Sequence, residues 1–441
     1  MNTIESTFGN FTLTSKIAHV LHSNFLQNYT MDLNRYISQS LFHNSNLESA
    51  QVVFLAVGVI IVLGIVGDAF FRKTGIPDVI FLMIAGVIIG PVLGIVGTDT
   101  IFKIAPYFAA LATIMILFGG GLTLNIKSVI YSAHFAFLIA FLGFALSVAV
   151  TSVIAVYGLG WGWPDAVLLG VMVGGSSEAI VFGLIKTLRV SDKTKTILAL
   201  ESTITSIMSF IGAFFLFGQI QSGHFAFSSL GITVTKSILT GLGLGIGVGI
   251  PWMYVTSKIT DAKYSYLLTL GILFMLFFFA NLLGESGALT ALIFGLMYGN
   301  RQFISRHLKI NMDSISTDNS FYEHLAFLVR TFFFVFVGLL ANFGQIGYII
   351  FGIAIGIALY VSRICAVKIS LTKKFTPFDK KIVSVMLPRG LAPAVLATIP
   401  LTLGLSHAAA YPQIVFIVII VSVIISTVAI KKAHKELPQE Q

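Results

Sequence analysis

The sequence predicts an all-α polytopic membrane protein of about thirteen transmembrane helices. Three observations carry this expectation. First, 56% of the 441 residues are hydrophobic and 10% are charged, and mean hydropathy is +0.94, far from the balance of a soluble domain. Second, apolar segments of spanning length follow one another from Gln51 to Ile430. Third, the connections between them alternate between basic and charge-poor.

The spans are read near 51–70, 77–97, 104–124, 133–158, 164–187, 195–218, 229–255, 264–283, 286–300, 321–343, 346–370, 381–403 and 411–430. Most approach the roughly 20 residues that a bilayer core demands, and 286–300 is short. "FRKTG", "NIKS", "IKTLRVSDKTK", "TSKITDAK", "NRQFISRHLK", "KISLTKKFTPFDKK" and "KKAHK" are basic. "GTDTIFK", "GLGWGWPD", "GQIQSGHF", "LLGESG", "ANFGQ" and "GLSHAAAYP" are nearly free of Lys and Arg. The positive-inside rule therefore puts the first set and a short tail, 431–441, in the cytoplasm, and the N-terminus outside the cell membrane. On this reading the formal charge of +9 sets orientation and implies no nucleic-acid partner.

Residues 1–50 are polar and mixed, without the basic and apolar pattern of a cleavable signal peptide. "NFT" at Asn10 and "NYT" at Asn28 match a glycosylation pattern too short to carry weight. A single cysteine, Cys365, leaves no disulfide framework and no cysteine-rich metal site. No GxxxxGK[ST] and no HExxH occurs, so neither ATP-driven pumping nor a metalloenzyme is expected, and no cofactor is implied.

A charge at bilayer depth costs at least about 2.5–3.5 kcal/mol, so each deep one marks a candidate site. The deep ones are Glu178, Glu201, Arg330, Arg363 and Arg389; Asp68, Lys236, Glu285 and Glu323 lie near span ends, where anchoring explains them. "VMVGGSSEAIVFG" places two glycines, two serines and Glu178 in mid-span. Each Gly weakens a helix interior by about 1 kcal/mol and Ser competes for backbone hydrogen bonds, which predicts a break. "MLPRGLAPAVLATIP" repeats the theme with Pro388, Gly390 and Pro393 around Arg389. Two such breaks are the mark of an inverted-repeat transporter whose half-helix ends line a midplane site. Glu201, in "LALESTITSI", and Arg363, in "ALYVSRICAV", are expected to pair, because an unpartnered buried charge is far costlier than a matched pair. Arg330, in "FLVRTFFFVFVGLLANF", is left to face either Glu178 or a substrate cavity.

Across 51–430 the chain resembles the monovalent cation/proton antiporter superfamily, in its NhaP-type sodium/proton exchanger branch. "GIPDVIFLMIAGVIIGP", "LFGGGLTLNIKSV", "GGSSEAIV", "LALESTITS", "SGALTALIFGLMYGN", "FFFVFVGLL" and "LPRGLAPAVLA" come in the order of that family's segments. The resemblance implies the sodium/proton antiporter fold, inverted repeats with the two broken helices crossing, and a homodimer in membrane lipid. It divides each protomer into a mobile core, about 133–218 and 346–430, and a dimerisation scaffold, about 51–124 and 229–343. It also implies a structural Glu–Arg pair, which falls on Glu201 and Arg363.

The chain departs from the family pattern where the ion is bound. The family's Asn-Asp pair after this Glu appears as Thr205 and Ser206, and its "TDP" appears as Ser176, Ser177 and Glu178. Arg330 stands where an electrogenic branch has a Lys. Exchange needs a group that holds either a proton or a cation, which a carboxylate does and Ser206 does not. With Glu201 committed to Arg363, Glu178 is the carrier expected for sodium or potassium and protons. Ser176, Ser177, Ser202, Thr205 and Ser206 are candidate neutral oxygen ligands, suited to a hard cation, and no resident metal is expected. Two alternatives stand beside this. Arg330 and Arg389 would suit an anionic substrate, and loss of the Asp at Ser206 would suit a transport-impaired relative.

Overall fold

The computed structural model describes residues 47–93, 98–123, 126–178, 180–181, 184, 190–223, 227–259, 261–283, 287–308, 320–341, 344–371 and 375–435. Asn10, Asn28 and Glu285 lie outside these residues, as does nearly all of the polar N-terminal segment. The described residues form fifteen α-helices and no strand, so the chain is all-α. Among the described residues, seven helices can cross a membrane by length and composition, and five shorter apolar ones accompany them. The chain is a multi-pass membrane protein.

One group of helices packs around α4 (Ile126–Leu159). α5 (Trp163–Gly174), α6 (Asp192–Ser222) and α12 (Ile346–Ser370) lie against it. α15 (Ala410–Lys435) lies on α12, and it also holds α13 (Pro377–Val385) and α14 (Leu391–Leu403). The second group centres on α3 (Thr98–Thr123), packed on α9 (Gly287–Gly299) and α11 (Ser320–Leu339). α7 (Phe227–Ser257) and α8 (Ala262–Leu282) flank α9, while α2 (Asp78–Val87) and α1 (Leu47–Thr74) flank α11. The two groups meet chiefly where α14 runs along α3.

Local sequence explains the ends of these helices. Ser191 caps α6 by accepting from the Thr194 amide, and Gly223 ends it with φ +69°. Thr376 caps α13, accepting from the Asp379 amide at 3.0 Å, with Pro377 in the first turn. A proline at that position lacks only an amide that has no helical partner. α2 passes into a π-helical turn, Ile88–Val92, around Pro91. Apolar side chains of α8 such as Phe274, Met275, Phe278 and Phe279 are exposed, as lipid-facing residues are.

The structure adds one element that hydropathy did not suggest. The basic stretch after Asn300 opens with a short amphipathic helix, α10 (Arg301–Leu308). Its first residue is buried: Arg301 donates to the Tyr298 carbonyl at 3.0 Å and lies over the Tyr298 ring.

Candidate functional site

Both expected breaks are present. α5 stops at Gly174, Gly175 is extended, Ser176 and Ser177 are non-helical, and helix resumes at Glu178. α13 stops at Val385, residues 386–390 are irregular, and α14 starts at Leu391. The breaks cross in contact. The Ser177 amide donates to the Pro388 carbonyl at 2.7 Å. A Cβ at Gly390 would lie 2.7 Å from the Cβ of Ser177, so the crossing is closed to any larger residue there.

Broken helices in lipid must satisfy their freed backbone groups internally. Here hydroxyls and one arginine do so. The Ser176 amide donates to Thr205 Oγ1 at 3.0 Å, and Ser206 Oγ donates to the Ser176 carbonyl at 3.1 Å. Ser422 accepts from the Arg389 amide at 2.9 Å, and Ser426 from the Leu387 amide at 3.4 Å. Those two serines sit one turn apart on α15 and so meet alternate residues of an extended segment. Arg389 reaches back across the crossing. Its Nη1 donates to the Gly174 carbonyl, the C-terminal end of α5, at 2.7 Å, and its Nη2 to Ser147 Oγ at 3.2 Å. A cation at a helix C-terminus is favourably placed.

Glu201 and Arg363 are both buried and meet face to face. Nη1 lies 2.8 Å from Oε1 and Nη2 lies 3.1 Å from Oε2. Ser176 Oγ adds a third donor to Glu201 at 3.3 Å, and Arg363 Nε donates to the Val383 carbonyl near the end of α13 at 3.0 Å. Every group on this pair's facing edges is matched, which is what tolerates two charges in a low-dielectric core.

Glu178 is the opposite case. It is 5% exposed, and neither carboxylate oxygen makes a hydrogen bond of full geometry among the described residues, Ser206 being the side chain that comes nearest to one. Ser177 Oγ is likewise buried and unpartnered. Both line a small cavity with Ser206, Thr113, Phe210 and Leu391. The cavity thus brings together one acid, three hydroxyls and the N-terminal turn of α14.

Of the other candidate ligands, Ser176 and Thr205 are engaged at the crossing and the ion pair, and Ser202 donates to the Ala199 carbonyl of its own helix at 2.9 Å. Arg330 does not meet Glu178: its Nη2 lies 3.3 Å from Asp78 Oδ2, at the start of α2. Of the acids near span ends, Asp68 pairs with Arg72 one turn on, and Glu323 is exposed.

Sequence reasoning missed Asp78, Thr113, Ser422 and Ser426. Asp78 had a signal: an acid directly after Pro77 at the head of an apolar run. The two serines four apart in the apolar α15 had another.

Comparison with known proteins agrees with this architecture. The sodium proton antiporter MjNhaP1 of Methanocaldococcus jannaschii superposes with a TM-score of 0.76 at 22% identity, covering 89% of this chain and 100% of that one. The K(+)/H(+) antiporter NhaP2 of Shewanella baltica (strain OS223) is 28% identical over 383 residues, 83% of this chain and 64% of that protein. The Na(+)/H(+) antiporter 1 of Methanocaldococcus jannaschii is 26% identical over 361 residues, 77% of this chain and 81% of that protein. The chain thus spans just under two thirds of the length of the K(+)/H(+) antiporter NhaP2. Residues 57–433 match the transmembrane sodium/hydrogen exchanger family, and the chain belongs to that family.

Proposed function

We propose that the chain exchanges a monovalent cation, sodium or potassium, for protons by alternating access, with Glu178 as the carrier. The observation that carries this reading is the buried carboxylate of Glu178, open to a hydroxyl-lined cavity, with no charged partner and no hydrogen bond of full geometry among the described residues. A permanent structural role would have supplied a partner, because an unpaired buried charge is costly. A proton or a cation supplies that partner in turn. Ser177, Ser206 and Thr113 offer neutral oxygens, and a single carboxylate suits a monovalent better than a divalent ion, which collects several.

The Glu201–Arg363 pair is structural in this reading and holds α6 to α12. Arg389 holds the crossing in shape. The mobile unit is the group around α4, with α12 to α15, and the scaffold is the group around α3. The working form is a homodimer in the cell membrane, N-terminus outside and C-terminus in the cytoplasm, as the resemblance and the basic loops suggest.

The test is proton flux in proteoliposomes on a sodium or potassium pulse. Cation-dependent flux in the wild-type protein that disappears in Glu178→Gln is expected. Unchanged flux in that variant would sink the assignment. Anion uptake that survives it but fails in Arg330→Ala would favour an anion carrier instead.

A further inference from the structure

The cavity has a wall that belongs to neither broken helix. Thr113, Ile116 and Leu117 of α3 line it opposite Ser177 and Glu178. One turn beyond them on the same face lies Gly120, since positions i, i+3, i+4 and i+7 of a helix align. A Cβ built on Gly120 would lie 2.7 Å from Glu178 Oε2, closer than side chains approach. The carboxylate therefore rests against bare helix backbone, in space that a Cβ at position 120 would take from it.

We infer that Gly120 is a positioning residue for the carrier: it is the seat of the Glu178 carboxylate, and the face of α3 from Thr113 to Gly120 completes the cation site. This rests on the reading of Glu178 as carrier. The three consecutive glycines of "LFGGGLTLN" separate the inference from a general effect of the glycine run, because each meets something different. A Cβ on Gly119 would meet only the Ala326 Cβ, at 3.9 Å, an ordinary contact. A Cβ on Gly121 would collide with the backbone of α9 at Leu292 and Leu296, which cannot yield cheaply. A Cβ on Gly120 meets the far end of a flexible side chain. Gly120→Ala is therefore compatible with folding, at the expense of where the carboxylate sits. The same seat explains why an acid at position 178 is usable: its side chain spans from the broken helix to the second helix group, so the bound ion lies between the two.

The experiment measures the cation concentration that half-saturates thermal stabilisation of purified protein, since a ligand that binds only the folded state raises Tm. Sodium chloride and potassium chloride are titrated against choline chloride at constant ionic strength. Maximal exchange rate in proteoliposomes is read alongside. In Gly120→Ala the half-saturating concentration is expected to rise about tenfold or more, with unliganded Tm close to wild type and Gly119→Ala indistinguishable from wild type. An unchanged half-saturation in Gly120→Ala, an equal shift in Gly119→Ala, or a collapse of unliganded Tm in Gly120→Ala each overturns the inference. A wild-type protein with no cation-dependent shift, or a Glu178→Gln protein that keeps it, overturns the carrier assignment instead.

Discussion

Arg363 holds Glu201 with both arms of its guanidinium, at 2.8 and 3.1 Å, while its third nitrogen secures the Val383 carbonyl near the end of α13. One arginine thus ties α6, α12 and the first half of a broken helix. Removing either charge leaves the other buried and unmatched. Glu201→Gln or Arg363→Ala should cost about 3–5 kcal/mol, seen as a large fall in Tm and loss of monodispersity in detergent. A paired replacement by apolar residues of similar volume should restore much of the stability. A normal Tm in either single variant would contradict the structural role.

Glu178 should behave oppositely. Its carboxylate has no ion pair and no full hydrogen bond to lose among the described residues, so Glu178→Gln should leave Tm unchanged or raise it while exchange disappears. Thermal unfolding and proteoliposome flux on the same preparation check both halves. A variant that fails to fold would point to a structural acid.

Exchange should be electroneutral. The protonated carboxyl is neutral, and so is the carboxylate with one monovalent cation, which fixes one proton per ion if Glu178 alone titrates in the cavity. Imposing a membrane potential on potassium-free proteoliposomes with a permeant lipophilic anion should leave the sodium-driven rate unaltered. Ser206→Asp adds a second acid to the same cavity and should make the rate voltage-sensitive. Voltage sensitivity in the wild-type protein would require a second titrating group.

Arg330 and Asp78 should act as one unit. Their contact is a single 3.3 Å approach, with side chains 22% and 9% exposed. Partly exposed pairs of this kind contribute about 1 kcal/mol or less. Asp78→Asn and Arg330→Gln should lower Tm by similar small amounts, and the double variant by no more than either. Additive losses would show that the two residues serve different partners.

The fold was legible because depth in a membrane is written in hydropathy. The Gly-Ser and Pro-Gly runs around Glu178 and Arg389 mark breaks on backbone grounds alone, and burial of two opposite charges suffices to pair Glu201 with Arg363. Direction around a helix axis is another matter. Arg330 was left facing Glu178 or a substrate cavity, yet it reaches Asp78, 252 residues away. Nothing in one strand of text says which way Arg330 points. Arg301 illustrates the same limit: it sits in a stretch that reads as a cytoplasmic basic loop, yet it is buried against Tyr298. The cavity wall on α3 was also hidden. Thr113 and Gly120 look like ordinary residues of an apolar span until α14 and Glu178 are laid against them.

The amide of Ser177 and the carbonyl of Pro388 join two stretches of backbone more than two hundred residues apart. That bond works as a rivet through a pair of crossed blades. Neither interrupted helix can swing alone without shearing it, so Glu178, one residue along from the rivet, is carried by both at once. If Glu178 is the carrier, the route to its ion opens by moving the riveted pair against its surroundings, with the geometry around the acid kept through the stroke.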